Sequence, residues 1–303
     1  MQSGNASPSE SALLLAASDG AWRSSLRRIR RWPILSVVIL ATLLFAAVTA
    51  DLIAPHDPVK ATLSARRAPL MWEEGGSSKF ILGGDLQGRD VLSRIIHGAR
   101  VSLMVAGSSI LIGMVFGTAY GLISGYFGGW IDEVLMRIVE IFLAIPLIMA
   151  ALVILVVAGA SYFSVIGVLV LFSWVPFARQ VRAETLAIKV LDYVALARVA
   201  GAPTHRILIN HILPGVLNTV IVVATLQVGS LILTESILSF LGVGIPPPTP
   251  AWGAMVADGR NYLASSWGIA FFPGMAIFLT VVGFNFLGDW IRDSLDPRLR
   301  QLD

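Results

Sequence analysis

The segment DYVALARVAGAPTHRILINHILP, residues 192–214, is the polar break between two strongly apolar runs, 163–181 and 216–241. It contains two helix-prone stretches, 192–200 and 204–211, and the first of them is rich in alanine. A pair of short helices between two apolar runs is too small to fold as a domain of its own. Its shape suits a segment that is gripped by another protein.

Glycine and proline define the ends of these two short helices. Gly201 suits the position just after the first helix, where a left-handed backbone is common. Pro203 suits the start of the second helix, because the first turn of a helix tolerates proline. Pro214 is expected to close the unit just before the next apolar run.

The rest of the chain has the composition of a membrane protein. Of its 303 residues 56% are hydrophobic and 14% are charged, with a mean hydropathy of +0.78, whereas soluble domains carry about 25% charged residues. A spanning helix needs roughly 20 apolar residues, so the apolar runs predict an all-α polytopic membrane protein with six transmembrane helices. The six runs are 32–53, 101–123, 138–158, 163–181, 216–241 and 269–287.

The segments between these runs give the organisation of the chain. We predict a cytoplasmic tail 1–31, a first transmembrane helix 32–53, a periplasmic or extracellular loop 54–98, a core of five transmembrane helices over 99–290 with a cytoplasmic segment 183–214, and a cytoplasmic tail 291–303. Lys and Arg are more numerous in the predicted cytoplasmic segments than in the alternate loops. Positive charge marks the cytoplasmic side, so both termini are expected in the cytoplasm.

The composition also excludes several functions. The chain has no cysteine, which excludes a disulfide scaffold, Cys-ligated zinc and thiol catalysis. Its four histidines are spread along the chain, so no metal site is predicted. The glycine-rich stretch 83–89 lacks the Lys and the hydroxyl of a phosphate-binding loop, so this chain is not expected to bind ATP. The net charge of +3 reflects membrane topology, and nucleic acid is not an expected partner.

Three glycines, Gly113, Gly117 and Gly121, recur at every fourth position of the second apolar run. They share one face of a helix, where small residues let a neighbouring backbone approach closely. Such stripes are common in membrane-helix packing, so this one predicts close packing rather than a particular function.

The segment quoted above resembles the cytoplasmic signature of the inner-membrane permeases of binding-protein-dependent ABC importers. That signature is Glu-Ala-Ala, three residues, Gly, nine residues and Ile-x-Leu-Pro. Aligned on Gly201, it places Leu213 and Pro214 on the Leu-Pro pair and residues 195–197 on Glu-Ala-Ala. Ala195 replaces the Glu and His211 replaces the Ile, so the charge of the Glu position is absent while the helical shape is kept.

Other motifs are similar to a narrower branch, the second permease of the dipeptide, oligopeptide and nickel importers. Residues 82–94, LGGDLQGRDVLSR, are similar to its Leu-Gly-Thr-Asp-x-x-Gly-Arg-Asp-x-x-Ser-Arg signature, with Gly84 in place of Thr. Further matches are LSFLGVG at 238–244, PAWG at 250–253 and NFLGD at 285–289. The resemblance implies peptide as the cargo, with nickel, opines, glutathione-like compounds and glycans as alternatives.

The resemblance also implies a fold, a membrane and a set of partners. It implies a type I ABC importer permease in a bacterial or archaeal cytoplasmic (inner) membrane, in contact with lipid and forming half of a heterodimeric pore. The implied partners are a homologous second permease, two subunits that bind ATP and Mg, and an extracytoplasmic solute-binding protein. The residues expected to couple to the ATP-binding subunits are Asp192, Ala195, Ala197, Arg198, Gly201, Leu213 and Pro214.

Glu235, Ser236 and Trp252 are the candidates for the translocation path or gate. Glu235 lies within the fifth apolar run, and an acid inside the membrane by default faces the bundle interior or a water-filled cavity. It could equally be a structural acid held by neighbouring hydroxyls or backbone. Trp252 could be a gate or a receptor contact, or an aromatic anchor at the membrane interface.

Asp85, Arg89, Asp90 and Arg94 place opposite charges at short spacing before the second apolar run. They could dock the solute-binding protein, or they could lock the long outer loop by salt bridges. The sequence favours neither alternative.

Two other function classes compete with an ABC permease. An ion-coupled secondary transporter could use Glu235 as a proton or cation site, but the chain shows no convincing inverted repeat. An intramembrane Ser–His protease would need a base, and no histidine falls inside an apolar run.

Overall fold

The structure is a computed structural model that describes residues 33–295, and its regular elements are helices. The predicted tail 1–31, Trp32 and residues 296–303 lie outside the described residues. The helices are α1 Ile34–Val48, α2 Ala50–Ile53, α3 Val91–Phe127, α4 Gly129–Ala144, α5 Leu147–Ala158, α6 Tyr162–Ile188, α7 Asp192–Val199, α8 Thr204–Ile207, α9 Leu213–Phe240, α10 Trp252–Gly259 and α11 Gly268–Leu295. Short 3-10 turns at Leu63–Ala65 and Arg260–Tyr262 and a π turn at Leu208–Ile212 complete them.

Four helices are long and apolar enough to cross a bilayer: α3, α6, the continuous helix Thr204–Phe240 and α11. The pair α4 and α5 is apolar enough only when taken together. Helix α1 is apolar but has 15 residues in its described length. The prediction of an all-α membrane protein is confirmed, with four spans, or five if the bent pair counts as one.

The third apolar run, 138–158, is not the continuous helix that the sequence predicts. Helices α4 and α5 are bent by 82° at the break between them. Pro146 has no N–H to donate and pushes the preceding residue out of the helical region, and Ile145 is indeed extended, with φ −90° and ψ 118°. Neighbouring helices therefore do not accommodate this proline within a straight helix.

Helices α3 and α6 form the most closely packed pair, and the glycine stripe lies between them. A Cβ atom added to Gly117 would lie 2.3 Å from the carbonyl oxygen of Trp174, and one added to Gly121 would lie 2.5 Å from that of Ala178. A Cβ atom added to Gly113 would lie 2.1 Å from the Ser173 hydroxyl oxygen. The predicted close approach is confirmed, and the neighbour is α6.

Helix α3 begins at Val91, inside the segment 54–98 that is predicted to be a loop. Asp90 caps it, because its carboxylate accepts a hydrogen bond of 2.9 Å from the Ser93 backbone N–H. Helix α1 packs against α3 and α11. The Arg100 guanidinium holds its end by donating to the Ala47 carbonyl at 2.9 Å and pairing with Asp51 at 3.0 Å.

The segment 192–214 contains the predicted first helix, α7, over Asp192–Val199. The second part differs from the prediction, because Pro214 does not end the unit. The chain continues from α8 through the π turn into α9 as one helix, Thr204–Phe240. Proline is tolerated near a helix start, and the wider turn Leu208–Ile212 just before Pro214 gives its ring room.

Candidate functional site

The turn between α7 and α8 has a defined geometry. Gly201 has φ +78°, which favours glycine. The Gly201 N–H donates to the Arg198 carbonyl at 3.0 Å, and the Ala202 N–H donates to the Ala197 carbonyl at 3.1 Å. This pair of bonds is the Schellman arrangement that satisfies the last carbonyls of a helix. Gly201 therefore fixes the angle at which α7 meets α8.

The same segment is anchored on one side and exposed on the other. Val194, Ile207 and Ile212 are fully buried and join the hydrophobic core. On its exposed face, Leu196 is 68% exposed and Val199 is 86% exposed. An apolar surface on a polar connection between two spans is typical of a protein interface.

The sequence-predicted coupling residues lie on this segment but differ in exposure. Asp192, Ala195, Arg198 and Gly201 are exposed, Ala197 and Leu213 are half-buried, and Pro214 is exposed on α9. The Arg198 guanidinium lies 5.8 Å from the centre of the Tyr126 ring at the end of α3. The segment thus contacts the α3 end as well as α9.

A second group of contacts joins the ends of α3, α4 and α6 close by. The Asp132 carboxylate pairs with the Arg182 guanidinium, whose Nε donates at 2.6 Å. The Lys189 ammonium donates to the Gly125 carbonyl at 2.7 Å. These bonds fasten the start of the bent pair to the α3–α6 pair.

A cavity of about 320 Å³ lies at the break between α4 and α5. The bent pair contributes Phe142 and Pro146, α6 contributes Phe172, and α9 contributes Gln227, Ser230 and Thr234. Backbone that departs from a helix at membrane depth is tolerated where it lines a cavity or is buried in protein. The break, the cavity and the polar side chains of α9 therefore form one site within the spans.

Sequence reasoning missed these three polar residues of α9. Their signal was available, because positions 227, 230 and 234 repeat at helical spacing and share one face. The sequence instead favours the adjacent carboxylate, because an acid within an apolar run is costlier than an amide or a hydroxyl and is by default a functional candidate.

The carboxylate of Glu235 is buried in the interior of the subunit and does not line the cavity at the break. It is 1% exposed, and its Oε1 accepts a hydrogen bond of 2.6 Å from the Ser239 hydroxyl. Ser236 is buried beside it, where α10 approaches so closely that a Cβ on Gly253 would lie 2.1 Å from the Ser236 carbonyl oxygen. The structure thus places Ser236 in the contact between α9 and α10, and Glu235 is buried next to it on α9.

Trp252 is also an interior residue. It is 1% exposed, and its indole N–H donates to the Ile95 carbonyl at 2.9 Å. The ring lies against Gly98, where a Cβ would come within 2.5 Å of it. The structure therefore places Trp252 between α10 and α3, and Trp252 does not line the cavity at the break.

The four charged residues at and just before the start of α3 are buried together. Asp85, Arg89, Asp90 and Arg94 are each at most 7% exposed. Asp85 accepts from the Arg89 Nε at 2.6 Å and lies 3.5 Å from the Arg94 Nε. Arg94 also donates to the Pro58 carbonyl at 3.1 Å. The geometry favours the loop-locking alternative, because Asp85 pairs with both arginines and Arg94 binds the loop carbonyl of Pro58 within the chain.

The carboxylate of Asp258, whose side chain is 44% exposed, faces this cluster from α10. Its Oδ2 lies 4.0 Å from an Arg89 nitrogen. Burial raises the pKa of the Asp258 carboxyl, and the guanidinium groups of Arg89 and Arg94 oppose that rise. The cluster therefore connects the outer loop, α3 and α10.

The family model described as "Binding-protein-dependent transport system inner membrane component" matches residues 117–301, more than half of the chain. The chain belongs to this family. The permease is 40% identical over 281 residues to the glutathione transport system permease protein GsiD of Pectobacterium atrosepticum, with 92% of each chain covered. It is 37% identical over 264 residues to the di/tripeptide transport system permease protein DppC of Pseudomonas aeruginosa, with 87% of each covered.

Two solved structures have a similar fold. A chain of the MetNI methionine ABC transporter in inward-facing conformations aligns with a TM-score of 0.55 at 19% identity, covering 67% of the permease and 96% of that chain. A chain of an amino acid ABC transporter aligns with a TM-score of 0.52 at 16% identity, covering 67% and 95%. The predicted family is confirmed, and the protein is a permease subunit of an ABC importer rather than an ion-coupled transporter or a protease.

Proposed function

We propose that the permease is one half of a heterodimeric pore that imports peptides or similar small solutes delivered by a solute-binding protein. Two relatives support the cargo class, since one is named for glutathione and the other for di- and tripeptides. The observation that carries the role is the segment 192–212, which is rigidly anchored yet presents exposed apolar side chains.

We assign that surface to an ATP-binding subunit. Its apolar side chains gain from burial in a groove of a partner, and the Gly201 turn keeps the two short helices at a fixed angle. ATP and Mg are bound by two such partner subunits, and their closure moves the segment as a rigid body between inward-open and outward-open states.

We propose a type I permease with six spans and both termini in the cytoplasm. The predicted first span, 32–53, is supported by the packing of α1 on α3 and α11 and by the Arg100 contacts at its end. The bent pair supplies the third span. The excess of Lys and Arg in the proposed cytoplasmic segments supports the orientation.

The cavity at the helix break is the part of the translocation path that this subunit lines. Its amide and hydroxyl groups on α9 face aromatic and proline side chains across the cavity. A path built from uncharged polar groups binds solutes weakly and passes many of them, which fits specificity that lies mainly in the solute-binding protein. The buried outer cluster locks the loop 54–90, so the receptor meets other exposed residues of the outer face.

The test of the ATPase-facing surface replaces Leu196 with Glu. The matched control is Leu63→Glu, because Leu63 is a leucine that is 89% exposed in the outer loop. The complete importer is purified by a tag on the second permease, and the co-purified ATP-binding subunits and the ATP-driven uptake in proteoliposomes are measured.

We expect Leu196→Glu to reduce both the co-purified ATP-binding subunits and the uptake by about tenfold or more, since a buried unpaired charge costs several kcal/mol. Leu63→Glu should leave both within about twofold of the wild type. Equal and full retention of ATP-binding subunits in both variants would contradict the assignment of this surface.

The cargo is tested in the same proteoliposomes with the cognate solute-binding protein. Uptake of labelled dialanine and of glutathione should depend on ATP inside the vesicles and on the receptor outside. Uptake of nickel or a glycan in place of any peptide would assign the same role to a different cargo.

A further inference from the structure

A second cavity, of about 610 Å³, opens between α6, α9 and α11 at the end of the permease that carries the segment 192–212. Helix α6 contributes Gln180 and Glu184, α9 contributes Asn218 and Thr219, and α11 contributes Arg292. This cavity is distinct from the one at the helix break, with which it shares no lining residue. Its size is within the range of small-molecule sites.

The cavity contains two opposite charges that do not neutralise each other. Glu184 is half-buried, and its carboxylate accepts a hydrogen bond of 3.2 Å from the Thr219 hydroxyl. Arg292 lines the cavity from α11. Within residues 33–295 neither Glu184 nor Arg292 forms an ion pair. The two charged groups therefore line the same cavity without forming an ion pair with each other.

This arrangement selects the class of ligand. A simple anion near Arg292 would gain nothing from Glu184, and a simple cation near Glu184 would gain nothing from Arg292. A zwitterion with its charges at two ends satisfies both groups through charge-assisted hydrogen bonds. Gln180, Asn218 and Thr219 provide amide and hydroxyl groups for the polar backbone between those ends.

We propose that this cavity is a product-side site that binds a zwitterionic peptide, with its carboxylate toward Arg292 and its ammonium toward Glu184. The inference rests on the proposed peptide cargo and adds a binding site on the inner side. A peptide held there bridges three helices beside the ATPase-facing segment. Its binding therefore opposes their movement and slows further import when peptide accumulates inside.

The test measures equilibrium binding of radiolabelled dialanine to the complete purified importer without its solute-binding protein. N-acetyl-dialanine lacks the ammonium and dialanine amide lacks the carboxylate, so each probes one end. The variants are Glu184→Gln and Arg292→Gln. The matched controls are Arg179→Gln and Asp293→Asn, which remove exposed charges next to the cavity residues but outside the cavity lining.

We expect each blocked peptide to bind the wild type at least about tenfold more weakly than dialanine, as for the loss of one charged hydrogen bond. Glu184→Gln should bind dialanine and N-acetyl-dialanine alike, and Arg292→Gln should bind dialanine and its amide alike. The controls should keep the wild-type order. Internal dialanine should slow ATP-driven uptake in the wild type and not in the two variants.

Three results overturn the inference: no dialanine binding to the wild type, equal binding of all three peptides, or equal loss of all three in either variant. The last of these, together with a stable complex, would indicate contact with the second permease at this surface. Receptor-dependent uptake of dialanine in the same preparation separates the two hypotheses. Intact uptake without inner-side binding refutes only this site, and absent uptake refutes the peptide cargo.

Discussion

The glycine contact between α3 and α6 gives a quantitative prediction for Gly117→Ala. The added Cβ would lie 2.3 Å from the Trp174 carbonyl oxygen and 2.7 Å from the Phe177 Cβ. Favourable contacts lie near 3.5 Å, so the two helices must separate by about 1 Å at this point. Overpacking of this kind costs about 1–3 kcal/mol.

The same helix offers a matched control in Gly107→Ala. A Cβ at Gly107 meets no atom within 4 Å, and alanine stabilises a helix interior by about 1 kcal/mol relative to glycine. Both variants gain this propensity term, so they should differ by the overpacking cost alone, about 1–3 kcal/mol. That difference corresponds to about 2–12 °C in the unfolding midpoint.

The assay heats the purified importer in detergent and measures how much of its monodisperse peak is lost at each temperature. ATP-driven uptake is measured in parallel at a permissive temperature. Gly117→Ala should unfold at a lower temperature than the wild type, and Gly107→Ala should unfold at the same or a higher one. Coincident midpoints for the two variants would refute the close approach of α3 and α6.

Three further predictions concern the turn, the buried acid and the outer cluster. Gly201→Val should reduce uptake severalfold, because a valine with a positive φ carries backbone strain of about 1–2 kcal/mol. Gly201→Asn should retain most of the uptake, because asparagine tolerates a positive φ. Equal uptake by both variants would show that the turn has no role in coupling. Glu235→Gln should keep ATP-driven uptake because the amide oxygen can still accept from Ser239, and complete loss of uptake by a stably assembled variant would indicate a role for the charge. Asp85→Asn should destabilise the purified complex by about 3–5 kcal/mol because Arg89 keeps a buried charge without its partner, and an unchanged unfolding midpoint would contradict the loop-locking role.

Features that depend on local geometry could be predicted from the sequence. Gly201 follows from the need for a left-handed residue after a short helix, and the stripe that includes Gly117 follows from helical spacing. The partner of the stripe could not be predicted, because any apolar helix can pack on a row of glycines.

Features that depend on contacts distant in sequence were harder to predict. The outer charges left docking and locking equally open until the structure placed Arg94 against the Pro58 carbonyl, 36 residues away. Pro146 was expected to sit in a straight helix, since neighbours can compensate a proline, and the resulting break then created a cavity that no local pattern indicates. Glu235 stood out by its charge, although the polar residues that line this cavity are its uncharged neighbours.

The length of helix α3 affects how a movement is transmitted across the membrane. Its 37 residues span about 55 Å, well beyond a hydrocarbon core of about 30 Å. Its first turn carries the outer ion cluster, and its last turns bond to Lys189 and contact Arg198. Because the glycines from Gly113 to Gly125 hold it closely against α6, the helix connects the two ends of the subunit as one stiff element. A movement at the Arg198 end of α3 can therefore tilt its Arg94 end directly, without a chain of side-chain rearrangements between them.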